Sequence, residues 1–172
     1  MTTQNCLIFK NNTLDTNLSV NEIQDMLILK LHIGGVRQNL CVPNVSWGAG
    51  IDYEADLVVV TKAGYATEYE IKRSWTDFLA DFKKKEGAHK APWVYRFAYV
   101  VPDSIIDKVL LFFQKRGGEV PAVIGYTEDL QIKKYGGFYE VKGGRKMFLE
   151  EQLKIARLGT LRYWNLRKKL DL

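Results

Sequence analysis

The 172-residue sequence has few of the residues on which zinc, redox and disulfide-linked proteins depend. It has two cysteines and two histidines, and neither pair has the spacing of a metal or redox motif. Cys6 and Cys41 are therefore expected to be reduced thiols in a cytoplasmic protein. For the same reason, His32 and His89 are not expected to form a zinc site.

Long apolar runs are also missing from the sequence. Apolar runs such as 57–60 and 109–113 are far shorter than the roughly 20 residues that cross a bilayer. The first residues lack a basic region followed by an apolar stretch, so we expect neither a membrane partner nor a secretory signal. With 47% hydrophobic residues, the chain is long enough to bury the core of a single domain.

Apolar periodicity and capping residues predict the order helix, three strands, helix, strand, helix, two short strands, helix. Ser19 and Ser74 each begin a predicted helix, and Lys62-Ala63-Gly64 forms a predicted hairpin turn. The last helix starts near Met147, with Gly159 as the place for a bend or a break. The predicted strands cover 38–47, 55–61, 66–72, 95–101, 122–126 and 130–135. This order predicts an α/β fold with a central mixed sheet flanked by helices.

Composition divides the chain into three parts. Residues 1–18 are polar, rich in Asn and Thr, and predict a loose N-terminal arm. Residues 19–126 contain the core elements, and residues 127–172 form a basic C-terminal extension. We expect one domain, and the sequence leaves monomer and homodimer open.

Charged residues occur in two neighbouring strands that are otherwise apolar. Asp56 opens one strand, and the next carries Glu68, Glu70 and Lys72 on one face, because side chains alternate along a strand. Glu70 and Lys72 are roughly 6.6 Å apart along the strand and can reach one small ligand. Antiparallel pairing about the hairpin brings Asp56 towards them. Carboxylates of this kind hold Mg²⁺ or Mn²⁺, and a lysine stabilises charge at a phosphoryl group.

An ordinary explanation exists for each of these charges. Glu70 and Lys72 could form a cross-strand ion pair on a solvated face. The run 57–60 is apolar on both faces, however, which indicates a buried hairpin where an unpaired carboxylate is costly. Glu68 is interpreted as lying at the sheet edge, with a second metal as the alternative, and Asp77 as a helix cap.

The motif resembles that of a known enzyme superfamily. Asp56, followed fourteen residues later by Glu70-Ile71-Lys72, resembles the signature of the PD-(D/E)XK nucleases. Within them, EIKRSWTDFLADFKK and the later YRFAYVVP resemble the DNA-repair-associated MmcB-like branch. The resemblance covers about residues 19–126, and Ala55 stands where many members have proline. It implies a restriction-endonuclease-like core (α-βββ-α-β) and a Mg²⁺-dependent DNA endonuclease in DNA repair or in mobile-element or phage DNA processing.

The resemblance also assigns roles to residues. Asp56 and Glu70 would bind the metal together with the Ile71 carbonyl, and Lys72 would be the catalytic lysine. An acidic residue of the first helix often joins the metal site in this superfamily, and Glu22 is the candidate. A capping box with Ser19 explains Glu22 without any metal, so both interpretations stay open. One or two Mg²⁺ ions fit this set, and Mn²⁺ is expected to substitute.

Basic residues are concentrated after the motif and near the C-terminus. From Lys142 onward, nine Lys and Arg face three acidic residues, which suits a phosphate backbone but also a solvated helix face. A helix C-terminus alone attracts cations through its dipole. The candidate DNA contacts are Lys83, Lys84, Arg162, Arg167 and Lys168.

Two other function classes fit the same sequence. The chain could be a non-catalytic nucleic-acid-binding module that retains the nuclease fold. It could also be a protein-interaction subunit whose basic C-terminal segment docks on an acidic partner.

Overall fold

Six strands form one mixed sheet in which each strand neighbours the next along the chain. A computed structural model describes residues 14–32, 39–46, 49–83, 91–117, 121–136 and 140–170. The pairs β1–β2, β2–β3 and β5–β6 are antiparallel, whereas β3–β4 and β4–β5 are parallel. This confirms the predicted α/β class. The strands are β1 (Leu40–Val45), β2 (Ala55–Val60), β3 (Ala66–Ile71), β4 (Val94–Pro102), β5 (Ala122–Tyr126) and β6 (Ile132–Tyr135).

Helices flank this sheet in the predicted order. The two parallel connections contain helices, as parallel pairing requires: α2 joins β3 to β4, and α3 joins β4 to β5. A π-helical turn, Ile28–His32, continues α1, and a 3₁₀ turn, Asp103–Ile105, precedes α3. In the described part of the chain, no helix is both long and apolar enough to cross a bilayer. The helices are α1 (Val20–Leu27), α2 (Trp75–Asp81), α3 (Ile106–Arg116) and α4 (Leu149–Lys169).

The hairpin between β2 and β3 is confirmed. Gly64 has a φ of +86°, which glycine adopts readily, and its N–H donates to the Thr61 carbonyl at 2.8 Å. Leu57 lies opposite Tyr69 in this pairing. Continuing the register by one residue puts Asp56 opposite Glu70.

The two faces of the sheet carry separate parts of the core. Ile23 and Leu27 of α1 pack with Tyr69 and Ile71 of β3 on one face. On the other face, Phe78 of α2 packs with residues of β4 and α3, including Tyr99, Val101 and Val109. Every residue of β3 is buried, so any charged side chain on this strand is removed from water.

The predicted loose arm is wrong for residues 14–18. The Asp15 N–H donates to the Arg73 carbonyl at 3.0 Å, and the Trp75 N–H donates to Asp15 Oδ2 at 2.8 Å. Thr16 and Leu18 are buried. Asp15 satisfies an N–H at the start of α2 that has no partner within the helix, which ties this segment to the core. Residues 1–13 lie outside the described part of the chain.

The C-terminal segment is built into the same sheet and core. Strand β6 pairs with β5, and Met147 and Ile155 are buried beside β1 and β2. Helix α4 continues through Gly159 without the expected break. A Cβ at Gly159 would lie 3.2 Å from Val42 Cγ2, so glycine here lets α4 approach β1 closely.

Candidate active site

Strand β3 carries three charged side chains that are almost completely buried. Glu68, Glu70 and Lys72 are 0%, 5% and 4% exposed. The placement of Glu68 at the sheet edge is wrong, because β3 is paired on both sides, with β2 and with β4. The Tyr53 hydroxyl donates to Glu68 Oε2 at 2.8 Å, which offsets part of the cost of burying this carboxylate.

Asp56 lies at the start of β2, beside the end of β3. Its Oδ2 accepts a 2.7 Å hydrogen bond from the Ile71 N–H. Burial raises the pKa of the Asp56 carboxyl, although the Ile71 N–H and the charge of Lys72 act in the opposite direction. The predicted approach of Asp56 to the end of β3 is therefore seen in the structure.

Lys72 is held by two carboxylates. Its Nζ lies 2.5 Å from Glu70 Oε1 and 3.0 Å from Asp81 Oδ1. Burial alone lowers the pKa of this ammonium, but the charges and hydrogen bonds of Glu70 and Asp81 outweigh it and leave the pKa raised. Lys72 is consequently a fixed positive charge at neutral pH.

Asp81 of α2 also belongs to this site, although the sequence motif assigns it no role. The structure shows Asp81 to be 7% exposed, with Oδ2 accepting a 3.0 Å hydrogen bond from the Tyr99 hydroxyl. A signal was available, because Asp81 follows the buried Phe78 by three residues and so lies on the same helix face. Together with β3, it completes a cluster that we call the buried polar row: Tyr53, Glu68, Glu70, Lys72, Asp81 and Tyr99.

Glu22 forms the capping box that its spacing predicts. Its Oε2 accepts from the Ser19 N–H at 2.8 Å and from the Ser19 hydroxyl at 2.6 Å. The Ser19 hydroxyl, followed by the Ser19 N–H, lowers the pKa of this exposed carboxyl. A role for Glu22 as a metal ligand stays a prediction.

Gln24 is the residue of α1 that contacts Asp56. Gln24 is buried, and its Nε2 donates to the Asp56 carbonyl at 2.7 Å and to Asn44 Oδ1 at 2.9 Å. A polar residue between Ile23 and Met26 on an otherwise apolar helix stripe was the available signal. Gln24 fixes the main chain of β2 at the candidate site.

The donor set at this site suits a hard divalent cation. No group of three or more His, Cys, Asp or Glu side chains within the described ranges could hold a metal. Asp56 and Glu70 supply two carboxylates, and the adjoining Ile71 main-chain oxygen is the third predicted donor. Mg²⁺ is commonly bound through one or two carboxylates and keeps several waters, so this smaller set fits it.

The predicted DNA contacts divide into distinct environments. Arg162 bonds to the Asn44 carbonyl and lies 3.9 Å from Glu54, so it ties α4 to β1. The Arg167 guanidinium lies 5.6 Å from the centre of the Trp164 ring. Lys83 and Lys168 are exposed, and Lys84 lies outside the described residues.

A groove of about 670 Å³ runs between α1 and α4. Lys168 and Lys169 line one side, and Gln24 lines it on the side of α1. Gln24 also bonds to the Asp56 carbonyl, so one lining residue of the groove contacts the main chain of β2 beside the candidate site. We call it the α1–α4 groove; its other lining residues are Asn21, Asp25, Pro43, Asn44, Arg162, Asn165 and Leu166.

Comparison with known proteins supports the fold and does not identify the family. No family model and no curated protein matches the chain. The solved structure of the SPO1766 protein of unknown function from Silicibacter pomeroyi is similar, with a TM-score of 0.59 and 15% sequence identity. The match covers 90% of this chain and 94% of that one. Likeness at this identity concerns the fold alone.

Proposed function

We propose that the protein is a Mg²⁺-dependent DNA endonuclease of the PD-(D/E)XK type. The supporting observation is the meeting of Asp56, Glu70 and Lys72 at the ends of β2 and β3. The Ile71 N–H bonds to Asp56 Oδ2 at 2.7 Å, and Lys72 Nζ lies 2.5 Å from Glu70 Oε1. Holding two buried charges and one partly buried charge at one place is costly, and perturbed charged groups of this kind cluster at functional sites.

The residues of the site have separable tasks. Asp56 and Glu70, with the Ile71 main-chain oxygen, would hold Mg²⁺, which when bound acidifies a water and neutralises phosphate charge. Lys72 supplies a permanent positive charge for the phosphoryl group as its negative charge grows. Asp81 orients Lys72 through their hydrogen-bonded ion pair. Tyr99 in turn orients Asp81 through its hydroxyl, since each bond constrains the next.

The DNA backbone would enter along the α1–α4 groove. Lys168 and Lys169 offer ammonium groups to phosphates, and Gln24, which lines the same groove, bonds to the Asp56 carbonyl. Contacts of this type neutralise phosphates without reading sequence. The proposal therefore includes little sequence preference and a strong dependence of binding on salt.

A second candidate is a non-catalytic nucleic-acid-binding module with the same fold. The observation in its favour is the burial of Lys72 between Glu70 and Asp81, an arrangement that also suits a purely structural ion-pair network. Such a module would bind DNA through the α1–α4 groove and would keep that binding in Asp56→Asn.

Nicking of supercoiled plasmid tests the proposal. Wild-type protein should nick in Mg²⁺ or Mn²⁺ and not in EDTA, and Asp56→Asn should lose the activity while still binding DNA. Lys72→Ala should also be inactive, with the exposed Lys62→Ala as the matched control. Folded wild-type protein that binds duplex, single-stranded and branched DNA but cleaves none would instead favour the second candidate.

A further inference from the structure

A second polar cavity lies on the opposite face of β3 from the buried polar row. Its volume is about 310 Å³, at the lower end of the range for small-ligand pockets. Thr67 and Tyr69 of β3 line it, on the face that α1 covers. Side chains alternate along a strand, so these residues point away from Glu68 and Glu70. The cavity is therefore separate from the candidate active site.

Cationic and hydrogen-bonding side chains from four elements meet at this cavity. His32 comes from the π-helical turn after α1, Arg96 from β4 and Lys134 from β6. No carboxylate is among the described residues that line it. A cleft lined by charges of one sign concentrates ions of the opposite sign, so this lining favours an anionic ligand.

The hydrogen-bonding groups of the cavity are held in place by packing. The His32 Nε2 and the Tyr69 hydroxyl lie 2.9 Å apart, and their rings meet edge to face with centroids 5.7 Å apart. Burial, followed by the charge of Lys134, lowers the pKa of His32. An anion placed among these groups would raise the pKa of the imidazole, in the direction opposite to the effects of burial and Lys134.

We propose that this cavity binds a phosphate-type anion through Arg96, Lys134 and the His32–Tyr69 pair. Arg and Lys side chains make charge-assisted hydrogen bonds with phosphate oxygens, and Thr67 lies beside them as a neutral donor. The ligand is either a free phosphate or nucleotide, or the terminal phosphate of a nucleic-acid strand. The site does not depend on the nuclease proposal, because none of its residues belongs to the buried polar row.

NMR of the His32 ring offers a direct test. The chain has only two histidines, so a His89→Ala protein gives a single imidazole signal from His32. Titration with inorganic phosphate should shift this signal saturably and raise the pH at which it titrates. No saturable shift, or a shift that chloride reproduces at equal ionic strength, would overturn the proposal.

Neighbouring lysines of β6 supply the matched control. Lys134→Gln should weaken phosphate binding about tenfold, the loss expected for one charge-assisted hydrogen bond. Lys133→Gln should leave binding unchanged, because Lys133 does not line the cavity and its Nζ bonds to Asp103 at 3.1 Å. Equal binding by the two variants would contradict the site.

Oligonucleotides distinguish the two sources of the phosphate. If a strand end is the ligand, a 5′-phosphorylated oligonucleotide should shift the His32 signal at lower concentration than either its 5′-hydroxyl form or a nucleoside monophosphate. If a free nucleotide is the ligand, the monophosphate should bind more tightly than both oligonucleotides. Either outcome supports a phosphate-type site. Shifts of equal size with and without the 5′-phosphate, together with no shift in inorganic phosphate, would contradict the site.

Discussion

The Lys72 ammonium lies 3.0 Å from the Asp81 carboxylate, so the end of β3 is joined to α2 by an ion pair inside the protein. Asp81 also accepts the Tyr99 hydroxyl. Replacing Asp81 with Ala leaves Lys72 and Tyr99 each short of a partner. We expect about 3 kcal/mol of lost stability in urea unfolding. The exposed Asp25→Asn is the control, and a loss below about 0.5 kcal/mol for Asp81→Ala would contradict the role of this pair.

Asp56→Asn should stabilise the protein in the absence of metal. Burial raises the Asp56 pKa above its ordinary value of 3.8, so the folded state holds this proton more tightly than the unfolded chain does. The charged carboxylate therefore lowers stability progressively as pH rises from that ordinary value through the raised one. The variant lacks this penalty.

Thermal unfolding in EDTA checks this prediction. As pH rises from about 4, the midpoint of Asp56→Asn should rise relative to wild type and then stay above it. Mg²⁺ should stabilise the wild type and not the variant, because the variant lacks one of the two carboxylates of the proposed metal site. A variant that is less stable than wild type at neutral pH would show that Asp56 is a structural anion.

Gly159→Ala should couple to Val42. Within a helix, alanine is more stabilising than glycine by about 1 kcal/mol, but the alanine Cβ would lie only 3.2 Å from Val42 Cγ2. We expect this contact to cancel or reverse the stabilisation when Val42 is present. The stabilisation should return in a Val42→Ala background. A double-mutant cycle by chemical unfolding measures this coupling, which should be about 1 kcal/mol. Additive effects would show that α4 does not press on β1 here.

Glu22→Gln should leave metal-dependent nicking unchanged. The Glu22 carboxylate is exposed and accepts two hydrogen bonds from Ser19, so the capping box accounts for it. Loss of the charge near the helix N-terminus should lower stability slightly. The activity should be measured across Mg²⁺ concentrations; a raised Mg²⁺ requirement would instead make Glu22 a metal ligand.

Local spacing was sufficient to predict the elements and part of the site. Three local features each depend on residues a few positions apart, and the structure contains all of them: the capping box of Ser19 and Glu22, the turn at Gly64 and the helix start at Ser74. The hairpin then fixed Asp56 near the end of β3, because antiparallel register follows from the turn.

The remaining parts depend on contacts between distant segments. Glu68 was expected at an edge because nothing local reveals that β4 pairs beside β3. Asp81 received no role because a charged helix residue is ordinarily exposed, and its burial becomes favourable through Lys72 and Tyr99, which lie on other elements. The link from Gln24 to Asp56 spans 32 residues and requires the packing of α1 on the sheet.

A crystal soaked in Mn²⁺ tests the central claim most directly. The account predicts an anomalous density peak between the Asp56 and Glu70 carboxylates in wild type and none there in Asp56→Asn. A well-ordered crystal with no peak between these carboxylates, or with Mn²⁺ only at other residues, would contradict the proposed metal site.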